Sequence, residues 1–276
     1  MNSKLFGEVV HDTFGLDELP DYSKRAQKKL LICFTPRSGS SWLKDMLYQT
    51  GCLGYPGEFL NPNMVQENLR ALGQCSPYDY LERVMNQTAS ENGIASIELT
   101  WFHLCWLAKS IAVSPFEGTL PDPFSDESFY VYLTRRDFVA QAVSMYRASE
   151  SGHYHQVQPS AETTASAVGY DGNKIKFWCL HLLQQEYGFE SWFSRKGFKA
   201  LRFTYEDIVD SAEFVVKSIA GYVGIGKFDE LTLSESHYKK LTPPAGDKLA
   251  TQFNTENSEF VEYWSLHRGL KQARPV

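Results

Sequence analysis

The stretch Leu30-Leu-Ile-Cys-Phe-Thr-Pro-Arg-Ser-Gly-Ser-Ser-Trp-Leu43 changes pattern twice within a short span. Leu30 to Phe34 is an unbroken apolar run closed by a turn, the pattern of a strand buried on both faces of a parallel sheet. Thr35 to Ser41 is small and polar around one cation, Arg37. Trp42, Leu43, Met46 and Leu47 then recur at helical spacing up to Gly51, which reads as a helix stop. Strand, loop and helix in this order place several backbone N–H groups and the positive end of a helix dipole at one point, which suits an anion. Ser38, Gly39, Ser40 and Ser41 allow close backbone approach, and Arg37 adds a permanent charge with a planar fork of donors. The plainer alternative is an ordinary turn with a serine as N-cap.

Outward from this stretch the signal repeats. Strand patterns cover Gly93 to Leu99, Phe129 to Leu133 and Ala200 to Tyr205. Helical patterns cover Phe138 to Glu150, Ile175 to Phe193 and Ala212 to Val223. The alternation predicts an α/β fold, a P-loop-like doubly wound parallel sheet flanked by helices. Gly51 to Pro62, Ser114 to Ser128 and His153 to Tyr170 read as loops. Met1 to Lys29 reads as an arm over the surface, and residues 30–276 as a single domain, which a chain of 276 residues with 43% hydrophobic content can fill.

Composition narrows the partners. A formal net charge of −6 argues against nucleic acid or an anionic membrane surface as the main partner. No apolar run reaches the roughly 18 residues of a membrane span, and no signal segment opens the chain, so a cytoplasmic location is expected. Cys33, Cys52, Cys75, Cys105 and Cys179 lack CxxC spacing and suggest reduced thiols, with neither disulfide nor zinc. His153 and His155 are wrongly spaced for two ligands on one helix face, and no metal is expected.

A second anion anchor follows the strand Phe129 to Leu133: Thr134-Arg-Arg-Asp-Phe-Val-Ala-Gln-Ala-Val-Ser144. Arginines at a strand end, with Ser144 farther along the next helix, can grip one phosphate from two sides. Surface ion pairs of these arginines with Asp137 or Glu150 are the alternative. A kinase of the P-loop class needs GxxxxGK[ST], which is absent here.

The order Pro36-Arg-Ser-Gly-Ser-Ser-Trp-Leu43, with the cation before the glycine, resembles the 5′-phosphosulfate loop of sulfotransferases that use 3′-phosphoadenosine-5′-phosphosulfate (PAPS). The second anchor resembles their 3′-phosphate site. From Leu30 to Trp264 the chain is similar to the bacterial trehalose 2-sulfotransferase family, through Pro36 to Leu43, Gly54-Tyr-Pro-Gly-Glu-Phe59, Arg135 to Arg147, and Tyr170 leading to Ser191-Trp-Phe193. Arg202-Phe-Thr-Tyr-Glu-Asp-Ile208 resembles a strand end common across sulfotransferases. The resemblance implies PAPS as donor co-substrate, held by Pro36, Arg37, Ser38, Gly39, Ser40, Ser41, Trp42, Ser144 and either Arg135, by the bacterial spacing, or Arg136, by the animal spacing.

It also implies Glu58 as general base with Arg37 supporting the leaving group, and His103 as the rival base. Phe59, Trp101, His103, Tyr146 and Tyr154 are the expected acceptor contacts, aromatic rings being suited to sugar faces. A carbohydrate, glycolipid or other small-molecule acceptor and a homodimer are further expectations from relatives. Glu98 stands where the trehalose enzymes have Lys, and Ser149 to His155 replaces an Arg-containing stretch, so the acceptor pocket carries different charges. A non-catalytic nucleotide- or sugar-binding protein on the same scaffold is the competing reading.

Overall fold

The computed structural model describes residues 25–73, 75–152, 168–226 and 247–268. Four parallel strands form its sheet: β1 (Lys28–Phe34), β2 (Ile94–Leu99), β3 (Phe129–Thr134) and β4 (Ala200–Thr204). Their order is β2-β1-β3-β4, with Leu31 beside Ile97 on one edge and Tyr130 on the other. The chain moves one way from β1 and then crosses back, so the topological switch lies between β1 and β3. Ligands of open α/β sheets bind outside the carboxyl ends of the strands at such a switch.

Side chains alternate across the sheet as period two requires. Leu30, Ile32, Val131 and Leu133 pack with Leu43 and Leu47 of helix α1 (Ser40–Gln49) and with Val215, Val216 and Ile219 of helix α7 (Tyr205–Val223). Leu31, Cys33, Ile97, Tyr130 and Tyr132 face the opposite layer, which includes α3 (Pro77–Gln87), α4 (Trp101–Ser110) and α6 (Gly172–Lys196). The expected doubly wound α/β architecture is therefore present. A third cluster joins α5 (Phe138–Ser151) to α6 and to α8 (Lys248–Glu256) through Val139, Val143, Trp178, Leu182 and Phe253.

Local chemistry sets several helix starts that hydrophobic periodicity leaves unread. Asn61 caps α2 (Pro62–Leu72) and Ser76 caps α3, each followed by a proline at the first helical position. Thr100 caps α4 through a capping box with His103, and Thr204 caps α7 through one with Asp207. That second box ends β4 at Thr204, so Tyr205 opens a helix instead of closing the strand. The last described helix is α9 (Ser258–His267).

Candidate active site

The loop Thr35–Gly39 leaves β1 at the switch point and enters α1 through Gly39, whose φ is 86° and which makes no side-chain cap. The serine N-cap of the plainer reading is thus not formed. A Cβ on Gly39 would lie 2.9 Å from the Tyr205 ring, so close packing as well as backbone conformation requires glycine. Arg37 also has positive φ, at 67°, an uncommon and costly conformation for a residue with a Cβ. Gln141, fully buried on α5, restrains it by donating to Thr35 Oγ1 at 2.9 Å and to the Pro36 carbonyl at 2.7 Å. Ser38 is completely buried and its Oγ has no protein partner.

The second anchor arrives beside the first. Arg37 Nε donates to Ser144 Oγ at 3.0 Å. Arg135 is 8% exposed, its guanidinium lies 4.6 Å from the Tyr205 ring centroid, and its Nε has no protein partner. Arg136 turns outward to an ion pair with Asp207, a partner different from the Asp137 or Glu150 of the alternative reading. The Arg136 and Asp137 amides donate to the Glu206 carboxylate at 3.0 and 3.4 Å. Adjacent arginines thus differ in environment: one lies desolvated beside an aromatic face, the other satisfied at the surface.

Glu58 lies on the segment running along β2. The Glu98 amide donates to the Gly57 carbonyl at 2.8 Å. Gly54 has φ 76°, and a Cβ there would lie 2.7 Å from the Ser96 backbone nitrogen, so this segment sits against the strand only with glycine. The Glu58 side chain is 23% exposed, and its Oε2 is 3.9 Å from His103 Nε2. Burial raises its pKa, while the Lys44 charge and a hydrogen bond from Asn61 act in the opposite direction. The Thr100 amide donates to His103 Nδ1 at 3.3 Å, so the neutral ring carries its proton on Nε2, toward Glu58. Burial pushes His103 down to about 3.

Sequence reasoning gave no site role to three residues that the structure brings in, Lys44, Tyr205 and Glu98, the last noted there only as a departure from the family pattern. Glu98 is 2% exposed and pushed up to about 8, by burial first and by Glu58, against the pull of Lys44. Its Oε1 has no protein partner. Lys44, buried on α1 next to the apolar stripe, is the cation shared electrostatically by both carboxylates. A lysine within a buried helix face was the available signal. Tyr205 was quoted only as part of a strand-end motif, yet it packs against both Gly39 and Arg135.

Other expected contacts are placed elsewhere. Phe59 is 1% exposed within the core, and Tyr80 Oη donates to its carbonyl. Trp101 is also buried, against Phe116, Phe189 and Gly188. Their rings fill space between layers, where the aromatic-stacking reading expected faces open to a sugar. Tyr146 is buried and donates to the Gly169 carbonyl at 2.8 Å. Trp42 is half-buried at the start of α1. Tyr154, with His153 and His155, lies outside the described residues. Among the described residues no group of three or more His, Cys, Asp or Glu gathers around a possible metal position, and no helix is long and apolar enough to cross a membrane.

Comparison with known proteins adds identity to this geometry. A trehalose 2-sulfotransferase of Mycobacterium tuberculosis is 25% identical over 234 residues, covering 72% of this chain and 85% of that one. Two solved structures are similar at low identity. A sulfotransferase from Alicyclobacillus acidocaldarius has TM-score 0.49 and 14% identity, covering 88% of this chain and 94% of that one. Retinol dehydratase in complex with retinol and PAP has TM-score 0.44 and 13% identity, covering 92% and 84%. The profile of the Stf0 sulphotransferase family matches residues 29–256, most of the sequence, and the chain belongs to that family.

Proposed function

We propose that this sulfotransferase takes its sulfuryl group from PAPS and transfers it to a hydroxyl of a carbohydrate or glycolipid, with Glu58 as general base. The observation that carries the donor assignment is the joining of two anion anchors at the switch point. Arg37 of the first loop bonds Ser144 of the second, while Ser38 Oγ and Arg135 Nε are buried without protein partners. Buried polar atoms left without a partner are costly, and anionic oxygens satisfy both kinds of group. The residues present therefore fit the donor. The Arg37–Ser41 loop and the entry of α1 hold its 5′-phosphosulfate, and Arg135 with Ser144 holds its 3′-phosphate. Arg136, paired with Asp207, is left as a surface residue.

PAPS supplies an activated sulfuryl group, whose sulfur–oxygen bond to the 5′-phosphate breaks as the acceptor oxygen bonds to sulfur. This chain's own residues contribute position and charge. Arg37 faces the charge that develops on the departing phosphate oxygen, a role in which a preoriented cation is most effective. Glu58 accepts the acceptor's hydroxyl proton on its carboxylate. Burial raises its proton affinity above that of a solvated carboxylate, which favours this transfer. His103 stands beside Glu58 as a neutral ring, with Nδ1 accepting from the Thr100 amide and Nε2 3.9 Å from the carboxylate, beyond direct hydrogen-bond reach. The carbohydrate acceptor is supported by the relative named for trehalose sulfation.

Calorimetric titration with adenosine 3′,5′-bisphosphate, with AMP as control and with and without magnesium, tests the donor site. Magnesium-independent binding that requires the 3′-phosphate is expected. Equal affinity for AMP would remove the 3′-phosphate site and the PAPS assignment with it.

A further inference from the structure

Arg268 follows α9 and lies beyond the residues matched by the family profile, yet its side chain reaches the back of the second anchor. One face of its guanidinium fork meets Glu186 of α6: Nε donates to Oε2 at 2.7 Å and an Nη donates to Oε1 at 2.5 Å. The other side of the fork turns to backbone. It donates to the Arg136 carbonyl at 2.6 Å and to the Arg135 carbonyl at 2.5 Å. Both side chains of the ion pair are almost fully buried, at 5% and 4% exposure. The guanidinium also lies 5.4 Å from the Phe138 ring centroid, at the first residue of α5.

The turn from β3 to α5 is consequently held on two sides. Glu206 accepts from its amides, and Arg268 donates to its carbonyls. The side chain of Arg135 itself rests on Tyr205, with Nε buried and unpartnered. A planar fork with donors on two edges can join a carboxylate and two carbonyls at once, whereas an ammonium group has no such fixed geometry.

We propose that Arg268, fixed by Glu186, is a positioning residue that orients the Arg135 turn for recognition of the donor's 3′-phosphate. The inference rests on the donor-site reading above. It assigns to the end of α9, the last described helix, a part in nucleotide selectivity, exerted through backbone carbonyls and without contact to the nucleotide.

The test compares adenosine 3′,5′-bisphosphate and AMP on the full chain carrying Arg268→Lys or Glu186→Gln, with folding checked by circular dichroism and thermal melting. The ratio of the two dissociation constants should fall about tenfold in Arg268→Lys, a loss of 3′-phosphate preference with AMP affinity retained. Glu186→Gln, which keeps a neutral acceptor for the fork, should lose less and provides a folded variant if the lysine variant does not fold. A wild-type ratio in a folded variant, or equal weakening of both nucleotides, would overturn the positioning role. Absence of 3′-phosphate preference in the wild type would instead overturn the donor-site reading, and the inference with it.

Discussion

Arg37 Nε donates to Ser144 Oγ at 3.0 Å, joining two anchors that are 107 residues apart in sequence. The proposed function assigns one anchor to the 5′-phosphosulfate and the other to the 3′-phosphate, and under that proposal this bond would couple catalysis to donor recognition. The roles implied by the family resemblance separate the two, with Arg37 supporting the leaving group and Ser144 holding the nucleotide. The contact predicts overlapping effects: Ser144→Ala lowers kcat as well as donor affinity. In a double-mutant cycle with Arg37→Ala the two losses should fall short of additivity by about 0.5–3 kcal/mol. Strict additivity of kcat/KM losses would show that the bond is not energetically significant.

Glu58→Gln should lower kcat by roughly 10²–10⁴-fold while leaving adenosine 3′,5′-bisphosphate affinity unchanged, the range for loss of a general base. A substitution at His103 should cost less, because its Nδ1 is occupied by the Thr100 amide and burial keeps the ring neutral. Initial-rate kinetics on both variants decide this. A larger kcat loss at His103 than at Glu58 would exchange their roles.

The pH dependence of kcat/KM follows from the same carboxylate. Burial raises the Glu58 pKa, so the acid limb should lie above the range of a solvated carboxylate. The Lys44 cation favours the ionised form. Lys44→Met should therefore move the acid limb to still higher pH, visible in a pH–rate profile. Movement to lower pH would mean that another group controls the limb.

Glu98 makes an opposite kind of prediction, for stability. Burial pushes it from the ordinary 4.5 up to about 8. Between those values the folded chain retains a proton that the unfolded chain has released, so this contribution is full below about 4.5 and is lost as pH rises through about 8. Glu98→Gln cannot ionise and should flatten that decline. Melting temperatures across this range are the measurement, and an unchanged slope would assign the decline elsewhere.

Gly39→Ala should destabilise the chain by about 1–2 kcal/mol, because an alanine must adopt the left-handed region. Its Cβ would also press on the Tyr205 ring at 2.9 Å. Since Tyr205 carries the Arg135 guanidinium, nucleotide affinity should fall along with the melting temperature. Loss of stability with affinity intact would mean that Tyr205 moves without disturbing Arg135.

The apolar run Leu30 to Phe34, its echoes at Phe129 and Ala200, and the serine-glycine loop between strand and helix were readable directly, because strand burial and turn chemistry are local properties. They were sufficient for the parallel α/β class and for naming the residues of both candidate anchors. Helices α2, α3 and α4 are not read from the sequence above, although α2 and α3 are clearly amphipathic, because Asn61, Ser76 and Thr100 are common polar residues that become caps once each helix has a layer to pack against. Aromatic residues near a motif were legible as aromatic but not as core: Phe59 and Trp101 fill the space between layers, a fact fixed by packing.

The sequence by itself determined which residue types were available for an anion site and in what order they met the strands. Only the tertiary structure decided which of two adjacent arginines is desolvated, that Lys44 acts electrostatically on both Glu58 and Glu98, and that Arg268 reaches the carbonyls behind Arg135. The physical reason is that charge environment is set by neighbours in space. Arg135 and Arg136 share one local sequence, but Tyr205 meets the first and Asp207 the second, both in the first turn of α7, which the pairing of β4 with β3 sets beside them.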